Sequence, residues 1–234
     1  MKQLLKSEFY KLGTQKSFWG LAIFSFLLSS ILMLDGSVPS DSSAFFDHAL
    51  YILPLLYVLI MIFGALFIGK DFDLRTIQIY ISAGHKRGSI LAAKSIVHLT
   101  GCAAILFAPL LFHTATGFIL YGISDNGIIP ILTKLVLAFI IICMMGLLPF
   151  LCAFLFKDIG KTLTVPLMLY FIMLFLLNGR HYRLMAVCFP MGQLRLLSLG
   201  QLSNLYVSAF LADCIWLIVC YTWAYRDFSR ADLN

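Results

Sequence analysis

The sequence predicts an all-α integral membrane protein. It has six transmembrane helices, an N-terminal amphipathic interfacial helix and a cytoplasmic coupling helix between spans 2 and 3. Three observations lead there. First, the 234 residues are 61% hydrophobic and only 12% charged, against about 45–50% and about 25% in soluble domains, and mean hydropathy is +0.95. Second, the apolar residues form unbroken runs, and about 20 helical residues cross roughly 30 Å of hydrocarbon. A β-barrel would instead alternate over segments of about 10 residues. Third, the basic residues gather on alternate inter-span segments. This balance excludes a disordered chain, a coiled coil and an ordinary nucleic-acid-binding domain, and argues against a soluble enzyme.

The elements follow in chain order, all as one membrane domain. Residues 2–17 carry Leu4, Leu5, Phe9 and Leu12 on one helical face, flanked by Lys2, Lys6, Lys11 and Lys16. This pattern suits a helix lying on the inner membrane surface. A signal peptide is the rival reading. Its basic region would be too long, and no small-residue cleavage site follows the apolar run. Span 1 covers about 18–34. An outer loop, Asp35–Asp47, holds three Asp and no Lys or Arg. Span 2 covers about 49–69, with Pro54 near its outer end. The most charged stretch, Lys70–Ser89, comes next. Span 3 covers about 90–121, span 4 about 128–156, span 5 about 162–178 and span 6 about 205–225. Spans 3 and 4 are long enough to tilt or project. The segment Gly179–Asn204 is too polar to cross and too apolar for a free loop. No repeat relates the two halves.

Orientation follows from the basic residues. With the N-terminus inside, inner segments hold Lys2, Lys6, Lys11, Lys16, Lys70, Arg75, Lys86, Arg87, Lys94, Lys157, Lys161, Arg226 and Arg230. Outer segments hold Arg180, Arg183 and Arg195. This asymmetry is a positive-inside signal and places both termini in the cytoplasm.

Catalytic patterns are missing. Glu8 is the only glutamate, and the chain has no HExxH, no GxSxG and no intramembrane Ser-Lys pair. Gly160-Lys161-Thr162 imitates the end of a phosphate-binding loop, but the first glycine of GxxxxGK[ST] would fall on Leu155. Lys161 reads as an inner-face anchor, so no nucleotide site is expected in this chain. The six cysteines (Cys102, Cys143, Cys152, Cys188, Cys214 and Cys220) show no CxxC or zinc spacing and read as small core residues. No metal site is expected.

Four polar residues within the spans are functional candidates. Asp213 lies in span 6, where an acid costs about 2.5–3.5 kcal/mol on insertion scales and faces a cavity or a partner. Lys134 lies near the outer end of span 4 and can snorkel outward. The two either pair near the outer leaflet or are hydrated separately. His98 and His113 sit fifteen residues apart on span 3, close to one helical face. They read as a proton relay or, more commonly, as isolated core histidines.

The stretch KDFDLRTIQIYISAGHKRGS is the most informative. Asp71 and Asp73 suit a helix N-terminus. Phe72, Thr76, Ile79, Tyr80 and Ala83 recur at three- and four-residue spacing. Gly84 suits a C-cap, followed by His85, Lys86 and Arg87. The spacing predicts one short cytoplasmic helix over about Asp71–Gly84. Its apolar side chains lie on lipid or dock on a soluble partner.

The order of features resembles the permease subunits of ABC-2 type transporters. It is most similar to the small permeases of bacitracin and lantibiotic resistance and immunity systems. The residues carrying the resemblance are Lys2–Trp19, Asp71, Thr76-Ile77, Ser82, Gly84, Arg87 and Lys94, with Arg75 standing where such loops usually have Gly. The topology match covers the whole chain, and the residue match about the first 95 residues.

The resemblance implies a bacterial cytoplasmic membrane and a second permease, identical or not. It also implies a cytoplasmic ATP-binding subunit that holds ATP and Mg and grips the loop helix at Asp71, Phe72, Thr76, Ile77, Ile79, Tyr80, Gly84 and Arg87. Short re-entrant helices are implied between spans 5 and 6. The expected cargo is an amphipathic antimicrobial peptide or lipid-active antibiotic. Two other readings stand beside it: a proton-coupled secondary transporter using Asp213 and His98/His113, and a membrane anchor or sensor subunit without transport.

Overall fold

The computed structural model describes residues 1–34, 40–123, 127–179, 182–202 and 205–231. Among these residues the chain is helical, without strands. Six helical segments are long and apolar enough to cross a membrane: Lys16–Leu34, Ser42–Asp73, Arg87–Tyr121, Ile129–Phe156, Ile159–Leu177 and Tyr206–Arg230. We label the helices α1 (Lys2–Thr14), α2 (Lys16–Leu34), α3 (Ser42–Gly64), α4 (Lys70–Asp73), α5 (Thr76–Ser82) and α6 (Arg87–Tyr121). They continue as α7 (Ile129–Phe156), α8 (Ile159–Leu177), α9 (Tyr182–Cys188), α10 (Pro190–Ser198) and α11 (Tyr206–Arg230). A π-helical turn, Ala65–Gly69, joins α3 to α4.

Three boundaries differ from the sequence reading. The second span begins at Ser42 rather than near Ala49, because Asp41 caps it, accepting from the Ala44 N–H at 2.9 Å. The loop helix is not one piece. It breaks at Leu74 and Arg75 between α4 and α5, where Arg75 adopts φ 56°. A second acidic cap moves the start of the fifth span to Ile159, within the stretch read as a basic loop. Asp158 caps α8 by accepting from the Lys161 N–H at 2.7 Å. α6 has 35 residues, about 52 Å of helix, and so exceeds the hydrocarbon thickness.

The central helices are α3, α6 and α7. In the most apolar window of the α3 segment 72% of residues are buried, against 17% for α2 and 22% for both α8 and α11, which face outward. Lipid is as apolar as leucine, so close packing rather than water exclusion must hold these helices together. A glycine on each central helix allows that approach. A Cβ at Gly64 of α3 would stand 2.8 Å from Pro149 Cβ, and one at Gly101 of α6 2.4 Å from Phe63 Cζ. One at Gly146 of α7 would stand 3.0 Å from Leu99 Cδ2.

Between the fifth and sixth spans, α9 and α10 form two short helices. α10 buries nearly every residue, from Pro190 through Leu194 to Ser198. Gly192 lies so close to Ala186 that a Cβ there would stand 2.4 Å from the Ala186 Cα. This packing explains how so polar a segment stays ordered. All six cysteines are free thiols.

Candidate functional site

Span order brings α1, α4, α5, the start of α6, the α7–α8 turn and the end of α11 to one end of the bundle. This basic end holds a buried ion network that joins three separate elements. Lys94, seven residues into α6, is fully buried. Its Nζ donates to Glu8 Oε1 at 2.8 Å and also to Asp71 Oδ2. Lys11 Nζ donates to Asp71 Oδ1 at 2.5 Å and to the Phe67 carbonyl at 3.0 Å. Gln15 Nε2 reaches the Leu66 carbonyl at 3.1 Å. The π-helical turn therefore supplies one acceptor to α1 and one to Gln15, the residue that follows it, and such turns recur at functional sites.

This arrangement packs one face of α1 against the bundle, a contact the sequence reading of an interfacial helix did not include. Its inward face is Leu4, Glu8 and Leu12, spaced one turn apart and all buried, while Phe9 and Tyr10 are exposed. Two ammonium groups and two carboxylates make the network formally neutral. Burying ions is costly, and pairing with hydrogen bonds is what makes it tolerable. Burial pushes Lys11 below the usual lysine range. The neighbouring Lys94 charge adds to this, and Asp71 and Glu8 oppose it. Burial raises the Tyr80 hydroxyl above its ordinary value, and its ring lies 5.7 Å from Lys94 Nζ.

The loop residues singled out from the sequence divide by orientation. Asp71 joins the ion network. Phe72 turns inward and packs edge-on against Phe154 (5.4 Å) and Phe228 (6.4 Å), tying α4 to α7 and α11. Ile77 is buried, and Thr76 and Tyr80 are half-buried. The apolar side chains facing outward are Leu74 and Ile79, each 63% exposed. Phe72 is thus a packing anchor, and Leu74 and Ile79 are the large apolar side chains the loop leaves exposed. Gly84, at φ 85°, closes α5 in a Schellman arrangement, with Gly84 N–H to Ile81 O at 3.0 Å and His85 N–H to Tyr80 O at 3.1 Å.

Arg87 also turns inward. Its Nη1 donates to the carbonyls of Phe228 (2.7 Å), Ser229 (2.9 Å) and Ala231 (2.8 Å). A cation at those free carbonyls both caps α11 and meets the negative end of its dipole. Lys157 adds an ion pair to Asp227 at 2.8 Å.

Arg75 holds a left-handed backbone, where an L side chain costs roughly 1–2 kcal/mol and glycine little. Its side chain is exposed. Arg75→Gly is therefore expected to leave thermal stability unchanged or raise it by about 1 kcal/mol. Arg75→Val should lower it. Thermal unfolding of the purified chain in detergent reads both, and equal stability of the two variants would refute the strain.

The intramembrane candidates separate. Lys134 pairs with Asp47 at 2.6 and 2.7 Å, not with Asp213, because Asp47 lies one turn into α3 and faces α7 there. Asp213 is buried on α11, and its Oδ1 has no hydrogen-bond partner among the described residues. His98 Nε2 bonds the Gly146 carbonyl at 3.1 Å, and its ring stacks 5.3 Å from Phe63. His113 Nε2 meets Ser29 Oγ at 3.0 Å. The two imidazoles serve different helix contacts and share no partner. Among the described residues no group of His, Cys, Asp and Glu could hold a metal ion.

Sequence reading named Asp71 and Lys94 but not their partners Glu8 and Lys11. A signal was present. The sole glutamate stands between Leu4 and Leu12, on the apolar face of an otherwise basic helix.

These features define a multi-pass helical membrane protein with a buried ionic junction at its basic end. No family model matches the chain, and no curated protein matches it significantly.

Proposed function

We propose that the chain is the permease subunit of an ATP-driven ABC exporter, embedded in a bacterial cytoplasmic membrane with both termini inside. The observation that supports this best is the solvent-facing pair Leu74 and Ile79 on the α4–α5 loop. The buried Lys11–Asp71–Lys94–Glu8 network links that loop to α1 and α6. A partner gripping the loop would move three elements together, since breaking the network exposes uncompensated charge. The power must come from a cytoplasmic ATP-binding subunit, and a second permease would complete the path. The cargo in this reading is an amphipathic antimicrobial peptide or lipid-active antibiotic, which makes the activity one of immunity or resistance.

Purification of the tagged chain from native membranes in mild detergent is expected to bring down a P-loop ATPase near a 1:1 ratio. A clean preparation without ATPase activity would sink the reading. It would favour a proton-driven carrier, which Asp213→Asn would then inactivate.

The double substitution Leu74→Asp, Ile79→Asp places two charges on the docking surface. It is expected to reduce ATPase co-purification and cargo resistance by at least about tenfold, equivalent to about 1.4 kcal/mol of binding. The thermal midpoint of the isolated chain should stay unchanged. Full resistance in this variant would move the docking site elsewhere.

A further inference from the structure

At the end of the bundle opposite the ion network, α3, α8 and α10 enclose a cavity of about 410 Å³, with Leu32 of α2 at its edge. Ligand sites commonly measure about 300–1,000 Å³. Its walls are mainly apolar, with Ile52, Leu55, Leu174 and Met191 among them, and no Asp or Glu lines it among the described residues.

Three polar groups in the lining are left over by the fold. His48 Nε2, Tyr170 Oη and Arg195 Nε are buried with no hydrogen-bond partner among the described residues. Tyr170 as a whole is 2% exposed. Arg195 is held in place by its Nη1, which donates to the Leu177 carbonyl at 3.0 Å and Asn178 Oδ1 at 3.2 Å at the end of α8. Its Nε–H is the part not used.

A buried polar group without a partner is costly, and each one calls for an explanation. Here a single explanation serves all three. A guanidinium Nε–H and a phenol O–H are donors, and an imidazole Nε2 is a third when it carries the ring proton, so their common complement is an acceptor-rich anion. The edge of an arginine matches phosphate with two parallel bonds.

The occupant is more than an anion. Tyr51 and Leu55 on the α3 wall are 53% and 54% exposed, so the cavity opens sideways from a membrane-spanning helix. A lateral opening on a membrane-spanning helix faces the acyl-chain region of the bilayer. We propose that this cavity binds a membrane-derived amphiphile with a phosphate head. The head is held by Arg195, Tyr170 and His48, and an apolar chain leaves between α3 and α8. Whether the occupant is cargo rests on the export reading; the binding itself does not.

The test uses the full chain in detergent micelles without any ATPase. Dioctanoyl phosphatidic acid, dioctanoylglycerol and inorganic phosphate are titrated separately, and binding is read by thermal shift and native mass spectrometry. Phosphatidic acid is expected to bind saturably, at least about tenfold more tightly than dioctanoylglycerol, a difference of about 1.4 kcal/mol. Inorganic phosphate alone should not bind measurably.

Arg195→Gln should weaken phosphatidic acid by about tenfold. Because Arg195 also holds the end of α8, Tyr170→Phe provides a second variant that keeps the ring and removes only the hydroxyl. It should weaken binding several-fold. Leu174→Trp fills the cavity without touching a polar group and should abolish binding. Equal binding of phosphatidic acid and dioctanoylglycerol would overturn the proposal by showing an apolar groove alone. Equally tight inorganic phosphate would overturn it in favour of a free-anion site. Unchanged binding in Leu174→Trp would place the lipid elsewhere. None of these outcomes bears on the ATPase partner, so failure here and failure of the export reading are separate results.

Discussion

Lys94→Met is expected to destabilise the chain by about 3–5 kcal/mol, the cost of leaving a buried charge unpaired. Lys94 is fully buried, as are its two partners, Glu8 on α1 and Asp71 at the α3–α4 junction. Removing the ammonium leaves two carboxylates facing one another with only Lys11 between them. Lys11 is already engaged by Asp71 and the Phe67 carbonyl. The least costly escape is for α1 to leave, since Glu8 then regains water. Trypsin should therefore cut the variant at Lys6 and Lys11 under conditions where the native chain resists, before the bundle itself unfolds. Adding Glu8→Met should recover more than half of the loss, because it removes the orphaned charge and leaves the Lys11–Asp71 pair. The coupling between the two sites would then be the departure from additivity. A Lys94→Met chain within about 1 kcal/mol of native, with α1 still protected, would show that the network carries no such weight.

What could be read from the sequence follows a physical division. Apolar length and turn chemistry are local, so the six spans and the Gly84 cap could be read directly, whereas the caps Asp41 and Asp158 were passed over inside loops. Partnership within the bundle is not local. Lys134 lies near the start of its span, but its partner was decided by which helix lies beside α7, and that is α3 with Asp47. Phe72 and Arg87 have the spacing of a docking surface. Both are claimed by α11, through Phe228 and the carbonyls of Phe228, Ser229 and Ala231. Periodicity shows that a helix has two faces, but not which of them meets a neighbour. The cavity beside Tyr170 was beyond sequence reasoning for the same reason. His48 lies more than a hundred residues from Tyr170 and Arg195, and only the packing of α3, α8 and α10 brings the three to one cavity.

The crossing of α3 and α6 should be equally intolerant of change. Gly101→Ala is expected to cost about 1–3 kcal/mol by overpacking, and Gly101→Leu to prevent recovery of folded protein. A Cβ at position 101 would stand 2.4 Å from Phe63 Cζ and 2.6 Å from Phe63 Cε1, with Leu12 Cδ1 3.4 Å away. A ring tip on a loose side chain would move aside at little cost. Phe63 is not loose. It is fully buried and stacks on Phe67 at 5.2 Å and on His98 at 5.3 Å. His98 is fixed in turn by the Gly146 carbonyl at 3.1 Å. Displacing the ring therefore disturbs α7 through His98 and the π-helical turn through Phe67, whose carbonyl holds Lys11. The same substitution should loosen α1 as well as lower the unfolding midpoint. Phe63→Leu supplies the control. Alone it removes ring contacts and costs stability, but combined with Gly101→Ala it makes room for the methyl, so the pair should cost less than the sum of the two. Simple additivity, measured by thermal unfolding in detergent, would mean that the ring has somewhere else to go and that the glycine is not what sets the distance between α3 and α6.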